Sequence, residues 1–306
     1  MEVHKQEEGK FIPPRKSAAI DAILKIYPDH PLAKKYLEDF KEYGERFTEF
    51  VNSRKPEQEI VKPELKPIDP EHLYEVFVDN YKFVNIREFD ESHNDFESRK
   101  LARTLALYFI GNRNFYKSPL LCKNPDGTFK SMPDLNKGIM IIGSYGIGKT
   151  SIIKTFHEVF KYARNNELHV KNKLGEFELL MWYEIYFGFS TTNDVVSEFE
   201  GIKRNEHSDE DYIWDQFWKK HSKGFRYYDD VMTEKVASNF GKVELFKLIF
   251  EKRYSNKAKT IISLNYEGET VDSTLEAFAN RYGERNYDRL FEMYNIIELK
   301  GESLRK

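Results

Sequence analysis

The chain has 306 residues, 48 of them basic and 51 acidic, giving a formal net charge of −3, so any contact with nucleic acid must come from a local patch rather than a global field. A hydrophobic fraction of 40% with 24 Phe and 19 Tyr excludes a disordered chain, and the length suits one large domain with a smaller appendage. The single cysteine, Cys122, excludes an internal disulfide and a cysteine-built zinc site; with no apolar signal core at the N-terminus and no apolar run of about 18 residues, a cytoplasmic protein is expected, with no membrane segment.

In chain order, Leu32, Tyr36, Phe40, Tyr43, Phe47 and Phe50 or Val51 step by three and four with charged residues between them, which predicts an amphipathic helix opening at Pro31. A shorter segment around Ile20, Ile23, Leu24 and Tyr27 repeats the period, so residues 1–55 read as a small helical module. A helix of that length cannot bury its aromatic stripe alone; its own domain, a copy of itself or a partner must cover it. Residues 56–70 carry four prolines among alternating charges and read as a linker, leaving 71–306 as the main domain. There a helical block is expected at about 96–109, with Leu101, Leu105, Tyr108 and Phe109 on one side.

The run Gly138-Ile139-Met140-Ile141-Ile142 is short and β-branched, as a buried strand should be. It leads directly into Gly143-Ser144-Tyr145-Gly146-Ile147-Gly148-Lys149-Thr150, the pattern G-x-x-x-x-G-K-[ST], and Ser151 continues into a helical period. Between strand and helix such a loop binds nucleotide: its N–H groups and the helix N-terminus converge on phosphate oxygens, Lys149 reaches the β- and γ-phosphates, and Thr150 can ligate magnesium.

Such a loop needs an acidic strand end beside it, and Gly224-Phe225-Arg226-Tyr227-Tyr228-Asp229-Asp230-Val231 is the best candidate, although the strand is less apolar than expected. Asp229 would hold the magnesium and Asp230 would orient the attacking water. The long interval between Lys149 and Asp229 suggests an insertion within about 165–222. In it, Trp214, Phe217, Trp218, Lys219 and Lys220 could stack on single-stranded nucleic acid, though such residues more commonly pack. Asn172-Lys173-Leu174-Gly175 lacks the closing Asp of a guanine-reading motif, which argues for ATP over GTP. Lys259-Thr260-Ile261-Ile262-Ser263-Leu264-Asn265 reads as a strand which, set between the loop strand and the acidic strand, would bring Asn265 to the γ-phosphate. Arg281, Arg285 and Arg289 recur at four-residue intervals; on one uninterrupted helix they would share a face, as a solvated basic edge or as an arginine offered to a neighbouring subunit's nucleotide.

Together the loop at 143–150, Asp229-Asp230, the strand ending in Asn265, and the arginines around Gly283 resemble the AAA+ ATPases of the DnaC/IstB type, helicase loaders and transposition regulators, over residues 98–306. The resemblance implies an α/β P-loop fold with a parallel sheet flanked by helices. It implies ATP and Mg²⁺ as cofactors, magnesium-dependent ATPase activity stimulated by a partner or DNA, and homo-oligomers with shared active sites. It also implies that the arginine before the final strand acts in trans, which matches Arg289 best, with Arg285 second and Arg281 third. Arg253 sits where the family often has an arginine before the sensor strand, with no role evident from sequence. No helical lid is expected after 295–299, and Asp230 stands where many such enzymes have Glu. The function implied is helicase loading in DNA replication, with a replicative helicase on the N-terminal helices and single- or double-stranded DNA on the core. The alternatives are an ATPase that marks target DNA for a transposase, and a nucleotide-sensing interaction protein with little turnover.

Overall fold

The computed structural model describes residues 31–53, 63–202, 210–238 and 241–304, and the chain divides into two compact units, 1–63 and 64–306. In the smaller, α1 (Pro31–Ser53) is the aromatic-striped helix. Its polar side carries the exposed i,i+4 pairs Lys41–Glu45 and Glu42–Arg46, each adding only a few tenths of a kcal/mol (roughly 0.2–0.5). Leu37 and Phe40 are about half exposed, and the rings of Phe40 and Tyr43 lie 6.3 Å apart. The shorter helix expected around residues 20–27 falls outside the described residues.

Of the stretch expected as linker, 64–70 belongs to the larger unit. Ile68 is buried and bridges to Asn172, and the Asp69 amide donates to the Lys171 carbonyl at 2.9 Å. The Asp69 carboxylate then caps α2 (Pro70–Asn85), whose first position is Pro70. Those prolines and acids therefore mark a helix start as much as a spacer. α2 buries Leu73, Tyr74, Phe77 and Tyr81. α3 spans His93–Phe109, but Asn94, Asp95 and Phe96 all have positive φ, so its right-handed part begins after Phe96 and buries Leu101, Leu105, Tyr108 and Phe109.

The body is a sheet of five parallel strands: β1 (Gly138–Gly143), β4 (Gly188–Thr191), β5 (Arg226–Val231), β8 (Thr260–Leu264) and β9 (Tyr294–Leu299). Their spatial order is β4-β5-β8-β1-β9, and β1 is followed by α4 (Lys149–Asn165). Side chains alternate between two apolar layers, as a parallel sheet covered on both faces requires. Ile139 and Ile141 of β1, Tyr227, Ile261 and Ile297 join α2, α3 and α4, whereas Met140 and Ile142, Tyr228, Ile262 and Ile296 join the helices of the other face. Across the first layer Phe77 stacks on Phe156 with ring centroids 4.6 Å apart.

The interval read as an insertion is only partly one. It holds an antiparallel hairpin, β2 (His169–Lys171) with β3 (Phe177–Leu179), but it also supplies the edge strand β4 and the helices α5 (Thr192–Gly201) and α6 (Glu210–Ser222). After β5 come the two-residue strands β6 (Ala237–Ser238) and β7 (Lys242–Val243), then α7 (Leu245–Ser255), α8 (Val271–Tyr282) and α9 (Glu284–Met293). The last two are separate helices because Gly283, at φ +89° and ψ 153°, breaks the path. The three arginines therefore do not share one face: Arg281 lies on α8, and Arg285 with Arg289 on α9.

Candidate nucleotide site

Because the strands are parallel, the C-terminal ends of β1, β8 and β5 are neighbours, and the segments leaving them meet along one edge of the sheet. From β1 the chain turns through Gly146 (φ +74°) and Gly148 (φ +96°), conformations that cost a side-chain-bearing residue about 1 kcal/mol or more. Ile147 is buried and pins the loop to the core, while Tyr145 is exposed. Gly148 is the N-cap of α4 and lends it no side-chain cap, so the helix N–H groups face a loop built for an anion.

Lys149 is buried, and its ammonium donates to the carbonyls of Gly143 at 2.7 Å and Ser144 at 2.9 Å and to Asn265 Oδ1 at 2.9 Å. Asn265 donates its amide to Asp230 Oδ1 at 3.1 Å, so one side chain bridges the loop lysine and the second acid. Thr150 Oγ1 donates to Asp229 Oδ1 at 3.0 Å. The expected strand order holds, with β8 lying between β1 and β5, and this puts Asn265 between the two motifs.

The acidic strand ends irregularly. Its register against β8 shifts between Tyr228 and Val231, and Asp230 and Met232 have φ of +54° and +80°, a bulge of the kind that re-aims side chains next to functional sites. Asp230 is held there by Thr192 and Thr233, whose hydroxyls donate to its carbonyl at 3.0 and 2.7 Å. Asp229 is buried, and its Oδ1 also accepts from Ser263 Oγ at 2.6 Å and from the Tyr227 hydroxyl. Burial first, and Asp229 second, push the Tyr227 hydroxyl far above the usual phenol range, so it stays a donor.

Sequence reasoning passed over Tyr227 and Ser263. The signal was a phenol two residues before the first acid and a lone serine inside the apolar run Ile261–Leu264, polar groups that burial tolerates only when partnered.

The arginines separate by environment. Arg281 pairs with Glu234 at 3.1 Å and Glu244 at 3.6 Å and donates to the carbonyls of Met232 and Glu234, tying α8 to the turn after β5. Arg285 is exposed, and Arg289 lies over the Tyr254 ring at 4.2 Å. Since α9 ends where β9 begins, Arg289 lies toward the end of the sheet opposite the loop of its own chain. Arg253, left without a role by the sequence, is fully buried. It donates to Thr260 Oγ1 and to the carbonyls of His221, Lys223, Gly224 and Lys259, all within 3.3 Å, and burial depresses its pKa. It is a five-donor clamp between α6, α7 and β8. The aromatic cluster of α6 packs inward: Phe217 is buried, Trp214 meets Phe199 edge-on at 5.1 Å, and Lys220 pairs with Glu198 at 2.7 Å. Trp218 lies under the Lys252 ammonium at 4.7 Å. Cys122 is buried, with its thiol pushed up to about 12 by burial.

Segment 300–304 passes over the loop. The Leu304 amide donates to the Gly146 carbonyl at 2.9 Å, and Asn94 exchanges two hydrogen bonds with the Glu302 backbone, at 3.1 and 2.9 Å.

Five parallel strands in this order, with the phosphate loop on β1, the acids on β5 and β8 between them, define a P-loop NTPase fold. Among solved structures the chain is similar to the DnaC helicase loader, with 20% identity and a TM-score of 0.43 over 72% of this chain and 98% of that one. It is also similar to DnaI, with 15% identity and a TM-score of 0.33 over 76% of this chain and 93% of that one. No protein-family model matches the chain, and no curated protein matches it. No helix among the described residues is long and apolar enough to cross a membrane.

Proposed function

We propose that this protein binds and hydrolyses ATP with magnesium, and that it uses the cycle as a helicase loader of the DnaC type. The observation that carries the ATPase reading is the joined network Thr150–Asp229 and Lys149–Asn265–Asp230. A hydroxyl and a carboxylate oxygen 3.0 Å apart are the hard oxygen donors magnesium prefers, so Thr150 and Asp229 fit that ion. When bound, the ion neutralises β- and γ-phosphate charge.

On binding, the residues 143–151 offer backbone N–H groups to the phosphates, and the Lys149 ammonium exchanges its neutral acceptors for phosphate oxygens, a charge-assisted and stronger interaction. That exchange releases Asn265 to hold the γ-phosphate or the water. Asp230 accepts a hydrogen bond from the attacking water and aims it. Arg289, or Arg285 beside it, reaches the nucleotide of a neighbouring copy and offsets the charge that develops in the transition state.

The loader reading rests on the motif ensemble alone. The N-terminal helices would dock a replicative helicase while an oligomeric core engages DNA. Titration with a fluorescent ATP analogue tests the site: Lys149→Ala should abolish binding, and unchanged affinity would refute it. Affinity purification with ATP present tests the client, where recovery of a transposase in place of a helicase would replace loading by transposition.

A further inference from the structure

β5 enters the site through Tyr227, a residue whose hydroxyl is fully buried against an acid. Tyr227 and Ser263 are each 0% exposed, and both direct an O–H at Asp229 Oδ1, the oxygen that also accepts from Thr150. A Phe at 227 and an Ala at 263 would fill the same layer without a polar group to satisfy, so packing alone does not call for these two hydroxyls. Ser263 Oγ also accepts the Asp230 amide at 3.1 Å, the N–H displaced from regular pairing where the register shifts. One hydroxyl thus fixes the side chain of the first acid and the backbone of the second, and Tyr227, 3.0 Å from Ser263 Oγ, closes the triangle.

We propose that Tyr227 and Ser263 are positioning residues that lock the Asp229 carboxylate in the orientation from which it holds a divalent cation, with Ser263 also setting the backbone of Asp230. This rests on the nucleotide reading above. Thr150 and Asp229 would both turn oxygens to the cation, and the two buried donors would keep the Asp229 carboxylate from rotating whether or not the Thr150 hydrogen bond persists. Outer hydrogen-bond partners of metal ligands typically control metal affinity by about 10-fold or more.

The test measures cation and nucleotide binding separately on the full chain. Mn²⁺ affinity of the ADP-bound protein is read by electron paramagnetic resonance, and affinity for a fluorescent ADP analogue is read in EDTA. Tyr227→Phe should weaken Mn²⁺ binding about 10-fold while ADP affinity in EDTA stays within about 2-fold, since the phosphate loop is untouched. Ser263→Ala should do the same and Ser263→Thr, which keeps the hydroxyl, should restore Mn²⁺ affinity. Unchanged Mn²⁺ affinity in Tyr227→Phe, or no restoration by Ser263→Thr, overturns the proposal and leaves the nucleotide reading standing. Failure of the unsubstituted protein to bind the ADP analogue overturns both.

Discussion

Asn265 accepts from Lys149 and donates to Asp230, so its amide has a defined sense: only the oxygen can face an ammonium and only the nitrogen a carboxylate. Replacement by Asp would keep the acceptor, remove the donor and set two carboxylates against each other. Asn265→Asp should retain ATP-analogue binding and lower hydrolysis about 100-fold, as loss of a positioned polar group commonly does; a phosphate-release assay at saturating ATP measures this. Asp230→Asn should likewise keep binding and lose turnover, because the amide still orients but accepts a water proton poorly. Equal loss of binding in either variant would assign the residue to nucleotide affinity rather than to the chemical step.

At the scale of elements, the packing of α6 against β5 carries a pH dependence. His221 is buried at Tyr228 and Glu198, and burial, then Arg226, bring its pKa down to about 4 despite Glu198. Its folded pKa lies below the unfolded one near 6.5, so its contribution is fully present above about pH 6.5 and is lost as pH falls toward 4. Up to about 3 kcal/mol is at stake at about 1.36 kcal/mol per pH unit. His221→Gln should flatten that acid limb in melting temperature measured between about pH 7 and 4. In the other layer, Phe77→Ala should cost about 3–5 kcal/mol through lost burial and a cavity beside Phe156, measurable by denaturant melts.

The elements that were legible in sequence are those whose local pattern decides their structure. The β1 strand, its loop, the β8 strand and the amphipathic α1 each carry their own signal. α2 was hidden because its start, Asp69-Pro70, shares its composition with a linker, and only the burial of Ile68 against Asn172 distinguishes the two. The break between α8 and α9 turned on one glycine at positive φ. Arg253 and Ser263 act on partners brought close by β8 lying between β1 and β5, which no local spacing encodes.

For the whole molecule, the proposed role of Arg289 in trans calls for a second copy, since Arg289 lies toward the sheet end opposite its own loop. Arg289→Ala and Asp230→Ala should each be inactive alone yet regain part of the ATPase rate when mixed, because a mixed interface pairs an intact acid with an intact arginine; a mixing series read by phosphate release checks it. Removing residues 1–55 should leave nucleotide binding by the larger unit intact and abolish client recruitment, read by binding titration and co-purification.

One further property follows from the strap at 300–304. The Leu304 amide donates to the Gly146 carbonyl, and Asn94 holds the same segment through Glu302. A peptide group in the loop thus has its counterpart in a distant amide whose protection depends on it. If phosphate turns the Gly146 peptide, deuterium uptake at Leu304 rises while uptake at the core strands stays fixed, and occupancy of the loop becomes visible from the far end of the sequence without an attached fluorophore.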